Sequence, residues 1–114
     1  MVTPPSTIHN LQLWQKHCRK LRALAKRILE GKESVIEGSL KMNTYRGWLH
    51  AWDDADFNIF KVVYAETTHL PLGTERTHWN PAALAQKDGE IKMVENTYPA
   101  SVMEFTAKIL QKYT

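Results

Sequence analysis

The chain has one cysteine, Cys18, in 114 residues. No internal disulfide can form, and the multi-cysteine sets of structural zinc sites are excluded. A reducing, cytoplasmic setting is the expectation. No apolar run approaches the ~20 residues of a membrane-spanning helix. Residues 1–6 lack the charged and apolar stretches of a secretory signal. Glycine and proline are scarce, five of each, and no glycine-rich phosphate loop occurs. Internal repeats and low-complexity segments are absent.

What is present reads as a folded domain. The apolar fraction is 43% and the charged fraction 24%, enough to build a core and too apolar for a disordered chain. The length fits one domain, residues 1–114. The net charge of +3 hides an asymmetry. Residues 1–32 hold seven Lys/Arg against one acid, and residues 33–114 hold eight against eleven. Either the two parts attract each other within the fold, or the basic part meets nucleic acid or an acidic partner.

The periodicity predicts helices throughout. After the extended Thr3-Pro4-Pro5, Ser6 or Thr7 is positioned to cap a helix reaching about Glu30. Leu11, Trp14, Cys18, Leu21, Ala25 and Ile28 recur every three or four residues and form one apolar stripe. Leu13 and Leu24 widen it, which predicts two packing neighbours. Gly31 suits the helix end. A second helix is predicted from Glu33 or Ser34 to about Trp52, its stripe being Val35, Gly38, Met42, Tyr45, Leu49 and Trp52. Gly38 lies on that stripe, as close helix–helix approach requires.

Asp53, Asp54 and Asp56 mark a helix start. The third helix then places Phe57, Phe60, Val63, Tyr64 and Thr67 on one face, with Ile59 and Val62 beside it, so broad burial is expected. Residues 70–79 read as an irregular connection. Asn80-Pro81 restarts the chain with a cap and a first-turn proline. A long last helix follows, its stripe running through Leu84, Ile91, Val94, Tyr98, Val102, Phe105, Ile109 and Tyr113. Pro99 removes one backbone hydrogen bond, which predicts a kink there. The fold class is therefore all-α: a compact bundle of about four helices, the last long and kinked near Pro99.

Chemistry-bearing residues concentrate between residues 66 and 85. Glu66, His69, Arg76 and His78 form a candidate polar site, with a structural corner as the alternative. Glu66-x-x-His69 has the spacing used by di-iron bundles, but those need two such pairs and two further carboxylates. No metal and no cofactor is expected. Cys18 lies on the apolar stripe and is expected to be a small buried hydrophobe rather than a nucleophile. Lys16, Arg19, Lys20, Lys26 and Arg27 make the first helix basic on its outer side, a candidate nucleic-acid face without an accompanying motif. Trp48 lies off the second helix's stripe, which makes it the exposed aromatic suited to a protein contact.

Glu66-Thr67-Thr68-His69-Leu70-Pro71-Leu72-Gly73, followed by Arg76, Trp79 and Ala83-Leu84, resembles a bacterial family described only as a domain of unknown function. Members carry a Glu-Thr-Asp-His-Leu-Pro segment, then arginine, tryptophan and a long final helix. The resemblance spans about residues 34–110, and Thr68 stands where the family has aspartate. It implies a helical bundle and a bacterial source, and it implies no activity, substrate or cofactor. No complete catalytic set is present, so the expected function is a small non-catalytic interaction module, self-associating or partner-binding. A metal-binding or enzymatic bundle and a nucleic-acid binder are the alternatives.

Overall fold

The fold is given by a computed structural model, which describes residues 2–70 and 78–114. Among these residues it is all helical, with five α-helices: α1 (Leu11–Leu29), α2 (Val35–Trp48), α3 (Asn58–Thr67), α4 (Pro81–Thr97) and α5 (Pro99–Lys112). A 3-10 turn, Ala55–Phe57, leads into α3.

Three helices start on side-chain caps. Asn10, Ser34 and Asn80 accept the amide N–H of Leu13, Glu37 and Ala83 at 3.0, 3.0 and 2.8 Å. Each satisfies a donor that the first turn leaves open. The first helix therefore begins at Asn10, later than Ser6 or Thr7. Residues 2–10 instead form a separate lead-in, with Ile8 N–H donating to the Pro5 carbonyl at 3.0 Å.

The α1 stripe is buried from its second residue on, at Trp14, Cys18, Leu21, Leu24, Ala25 and Ile28, whereas Leu11, which opens the expected stripe, and Leu13, expected to widen it, are exposed in the first turn. Cys18 is 1% exposed, and burial pushes its thiol up to about 11. α1 packs against both α5 and α2. The approach to α2 is close at Gly38, where a Cβ would stand 2.8 Å from Ile28 Cγ1. Any side chain there forces Ile28 to move. Leu49 caps α2, so this helix stops short of Trp52, which is exposed rather than on a buried stripe.

α3 buries Phe60, Val63 and Thr67. Tyr64 and Val62 are exposed, so its buried face is narrower than the apolar run implies. The expected long last helix is two helices, α4 and α5, separated at Tyr98 and Pro99. Both lie against α2 and α3, and α5 packs in addition, and most extensively, along α1. Lys112 Nζ fastens α5 to the 3-10 turn, 2.8 Å from Asp54 Oδ2 and 2.7 Å from Asp56 Oδ2. One apolar cluster joins residues from all five helices. The molecule measures 49 × 26 × 23 Å, an elongated bundle rather than the compact one expected. No helix among the described residues is long and apolar enough to cross a membrane.

Candidate interaction surface

α1 and α2 end in the same way, with different residues. Gly31 N–H and Lys32 N–H turn back to the carbonyls of Ile28 and Arg27. His50 N–H and Ala51 N–H turn back to those of Gly47 and Arg46. Both endings need a left-handed residue. α1 uses Gly31, at φ 73°, and α2 uses His50, at φ 53°. A residue with a Cβ costs about 1–2 kcal/mol there. The strained histidine is held from two sides. Its Nδ1 shares a 2.7 Å hydrogen bond with Thr7 Oγ1. Its ring stacks on Trp52 with centroids 4.5 Å apart.

His50 thereby brings the lead-in against the end of α2. An open cleft of about 200 Å³ lies between them, lined by Thr7, Ile8, His9, Asn10, Leu13, Trp14, His17, Trp48 and His50. None of these is acidic. Trp48 is 47% exposed, as its position off the stripe predicts. It is nonetheless fixed: the His17 ring stacks on it at 4.9 Å, and Tyr45 meets it edge-on at 4.9 Å. Leu13 is also exposed beside it. Trp14 is 2% exposed, yet its indole Nε1 has no acceptor among the described residues. Buried donors are rarely left so.

Beyond the Tyr45–Trp48 pair the α1–α2 seam continues into a second, more open cleft of about 420 Å³, lined by Lys20, Ala23, Leu24, Arg27, Glu33, Lys41 and Tyr45. Its one acid is already engaged. Glu33 pairs with Lys41 at 2.7 Å and Arg27 at 3.4 Å, and the Lys41 hydrogen bond, the largest influence, helps hold its carboxyl below the usual range. Of the basic residues on α1, Arg22 also has a partner, the Tyr113 carbonyl at 3.0 Å. Lys16, Arg19, Lys20 and Lys26 have no acidic partner among the described residues. The charge asymmetry is thus only partly absorbed within the fold.

The polar site expected from the sequence is partly assembled. Glu66 and His69 line a cleft of about 380 Å³ together with Glu90, Met93, Val94, Thr97 and Tyr98. His69 Nε2 is 3.9 Å from Glu90 Oε2, and Lys87 Nζ is 3.0 Å from the same oxygen. His69 and Glu90 are about half exposed, 52% and 44%, so water screens them. His78 is exposed and lines no part of this cleft. Arg76 lies outside the described residues, as does Pro71-Leu72-Gly73 of the family-like segment. No group of three His, Cys, Asp or Glu side chains is arranged to hold a metal among the described residues.

The sequence pointed to Trp48 and missed its surroundings. Thr7 and His50 are 43 residues apart, and no local pattern brings them together. The available signal was Asn10, a strong cap immediately before the apolar stripe, which would have freed residues 2–9 to pack elsewhere. No family model matches the chain, and neither does any curated protein or solved structure.

Proposed function

We propose that this chain is a non-catalytic binding module whose contact surface is the α1–α2 face centred on Trp48. The observation that carries this reading is Trp48 itself. A tryptophan half open to solvent, locked by His17 and Tyr45, offers large apolar area at little entropic cost. Rigid aromatics of this kind anchor protein contacts. Bacterial origin and a cytoplasmic setting accompany the reading, the first resting on the resemblance at residues 66–84 and the second on the lone cysteine.

The test is a selection of random peptides against the whole chain, with Trp48→Ala as counter-target. Sedimentation of both proteins runs alongside it. Retained peptides, or self-association, should weaken at least ten-fold in Trp48→Ala, with the melting temperature little changed. Association that is indifferent to Trp48→Ala removes the reading.

Nucleic-acid binding is the second reading, favoured by the unpartnered Lys16, Arg19, Lys20 and Lys26. It predicts oligonucleotide retention that falls steeply with added salt. Salt-independent retention counts against it.

A further inference from the structure

We propose that the cleft beside Trp48 receives an acidic peptide segment of a partner protein. One bulky apolar side chain of that segment seats against Leu13, Trp14 and Trp48. This names the partner class for the binding-module reading and rests on it.

Size comes first. A cleft of about 200 Å³ is smaller than the ~300–1,000 Å³ of ordinary small-molecule sites. It suits one side chain better than a whole ligand. The seam continues past Trp48 to Arg27. From Leu13 to Arg27 the helix rises roughly 21 Å, the span of roughly six extended residues. One anchored side chain and a short extended segment therefore match the surface together.

Charge comes next. The cleft has no carboxylate on its walls. Lys16 and Lys20 are exposed and without acidic partners among the described residues, and both act electrostatically on His17, whose ring forms part of the wall. Opposite charge on the segment is the complement that steers such an encounter. A second copy of this chain carries the same net charge of +3 and is repelled overall. Of its acids at 53–56, Asp54 and Asp56 are held by Lys112.

The third observation is the indole N–H of Trp14, buried and without an acceptor. A peptide offers a carbonyl at every residue, and one of them answers this covered donor when the cleft wall shifts to admit it. A nucleic-acid strand fits less well. One face of Trp48 is covered by His17 and Tyr45 packs against it nearly at a right angle, so the ring is a wall more than a free stacking platform.

The probes are blocked hexapeptides of five acidic residues and one leucine, phenylalanine or tryptophan. Their neutral analogues, with every acid replaced by its amide, and a twelve-residue oligouridylate serve as comparisons. Binding is read at low salt by tryptophan emission or, for the tryptophan-anchored probes, by amide chemical shifts. At least one acidic peptide should bind ten-fold or more tighter than its neutral analogue. Lys16→Glu combined with Lys20→Glu, both exposed and harmless to folding, should abolish that preference. Trp14→Phe should weaken binding about five-fold.

Equal binding of acidic and neutral peptides overturns the proposal, as does an unchanged preference in the charge-reversed variant. Tighter binding of the oligouridylate overturns it in favour of nucleic acid, and no binding by any acidic peptide also overturns it. If the neutral analogues bind equally well but depend on Trp48, the binding module stands and only its acidic partner falls. If Trp48→Ala binds like the parent, both fall.

Discussion

The cleft at Trp48 rests on α1, which buries Trp14, Cys18, Leu21, Leu24, Ala25 and Ile28, whereas the cleft at Glu66 and His69 leans on α4, which buries Val94 alone. The first has apolar, ring-locked walls beside unpartnered cations. The second sets Glu66, His69 and Glu90 among Met93, Val94, Thr97 and Tyr98, and Glu90 already contacts Lys87 at 3.0 Å. Recognition surfaces need rigid support, because ordering them on binding costs affinity. The motif at Glu66 and His69 sits on the more sparsely buried helix, and the Trp48 cleft on the more deeply buried one.

The largest effect that separates the two foundations is on stability. Leu21→Ala should cost about 3 kcal/mol, since the side chain is fully buried and leaves a cavity. Val94→Ala should cost about 1–2 kcal/mol, being smaller and on the less buried helix. Denaturant unfolding of both variants checks the ranking. Equal losses would mean that α4 is anchored as firmly as α1 and would break the comparison.

Next in size is the strain at His50. His50→Gly should be about 1 kcal/mol more stable than His50→Ala, because both lose the contacts to Thr7 and Trp52 but only glycine accepts the left-handed backbone freely. Gly31→Ala should cost a similar amount at the matching end of α1. If glycine brings no advantage at position 50, the two helix ends differ in more than residue type.

The helices were legible where burial is periodic. The α1 stripe from Trp14 on, the Asn80-Pro81 start and the close approach at Gly38 each follow from a local rule, and the structure keeps them. The misses share a cause: the outcome depended on residues far along the chain. α2 stops before Trp52 because His50 accepts a conformation normally left to glycine, braced by Thr7. Tyr64 is exposed because the neighbours of α3 cover only the face of Phe60, Val63 and Thr67. The last helix divides at Pro99, and only its second half goes on to pack extensively along α1. Trp48 was readable from its place off the stripe. The cleft around it was not, since its second wall comes from residues 7–10.

A smaller effect belongs to the other cleft. His69→Ala should change stability by no more than about 0.5 kcal/mol, since its approach to Glu90 is long and solvent-screened. It should also leave peptide binding at Trp48 unchanged. A loss above about 1 kcal/mol would show that the Glu66–His69 corner carries structure after all, and would raise the standing of α4 in the comparison.

The smallest effect is a pH dependence at His17. Burial lowers its pKa from 6.5, and Lys20 and Lys16 push in the same direction. The unfolded chain therefore holds more of this proton than the fold does just below pH 6.5. Stability rises with pH wherever the unfolded state binds more protons. Acidification through 6.5 should thus weaken the fold slightly, levelling off once folded His17 is itself protonated. His17→Gln should remove that part of the slope, and ring-proton shifts should place the His17 midpoint below that of an unfolded control. An acidic peptide on Lys16 and Lys20 would cancel part of the lysine contribution, so its binding should raise the His17 midpoint while a neutral peptide should not. A midpoint left unchanged or lowered alike by both peptides would leave burial as the only influence of binding and the charge of the Trp48 cleft without a part in recognition.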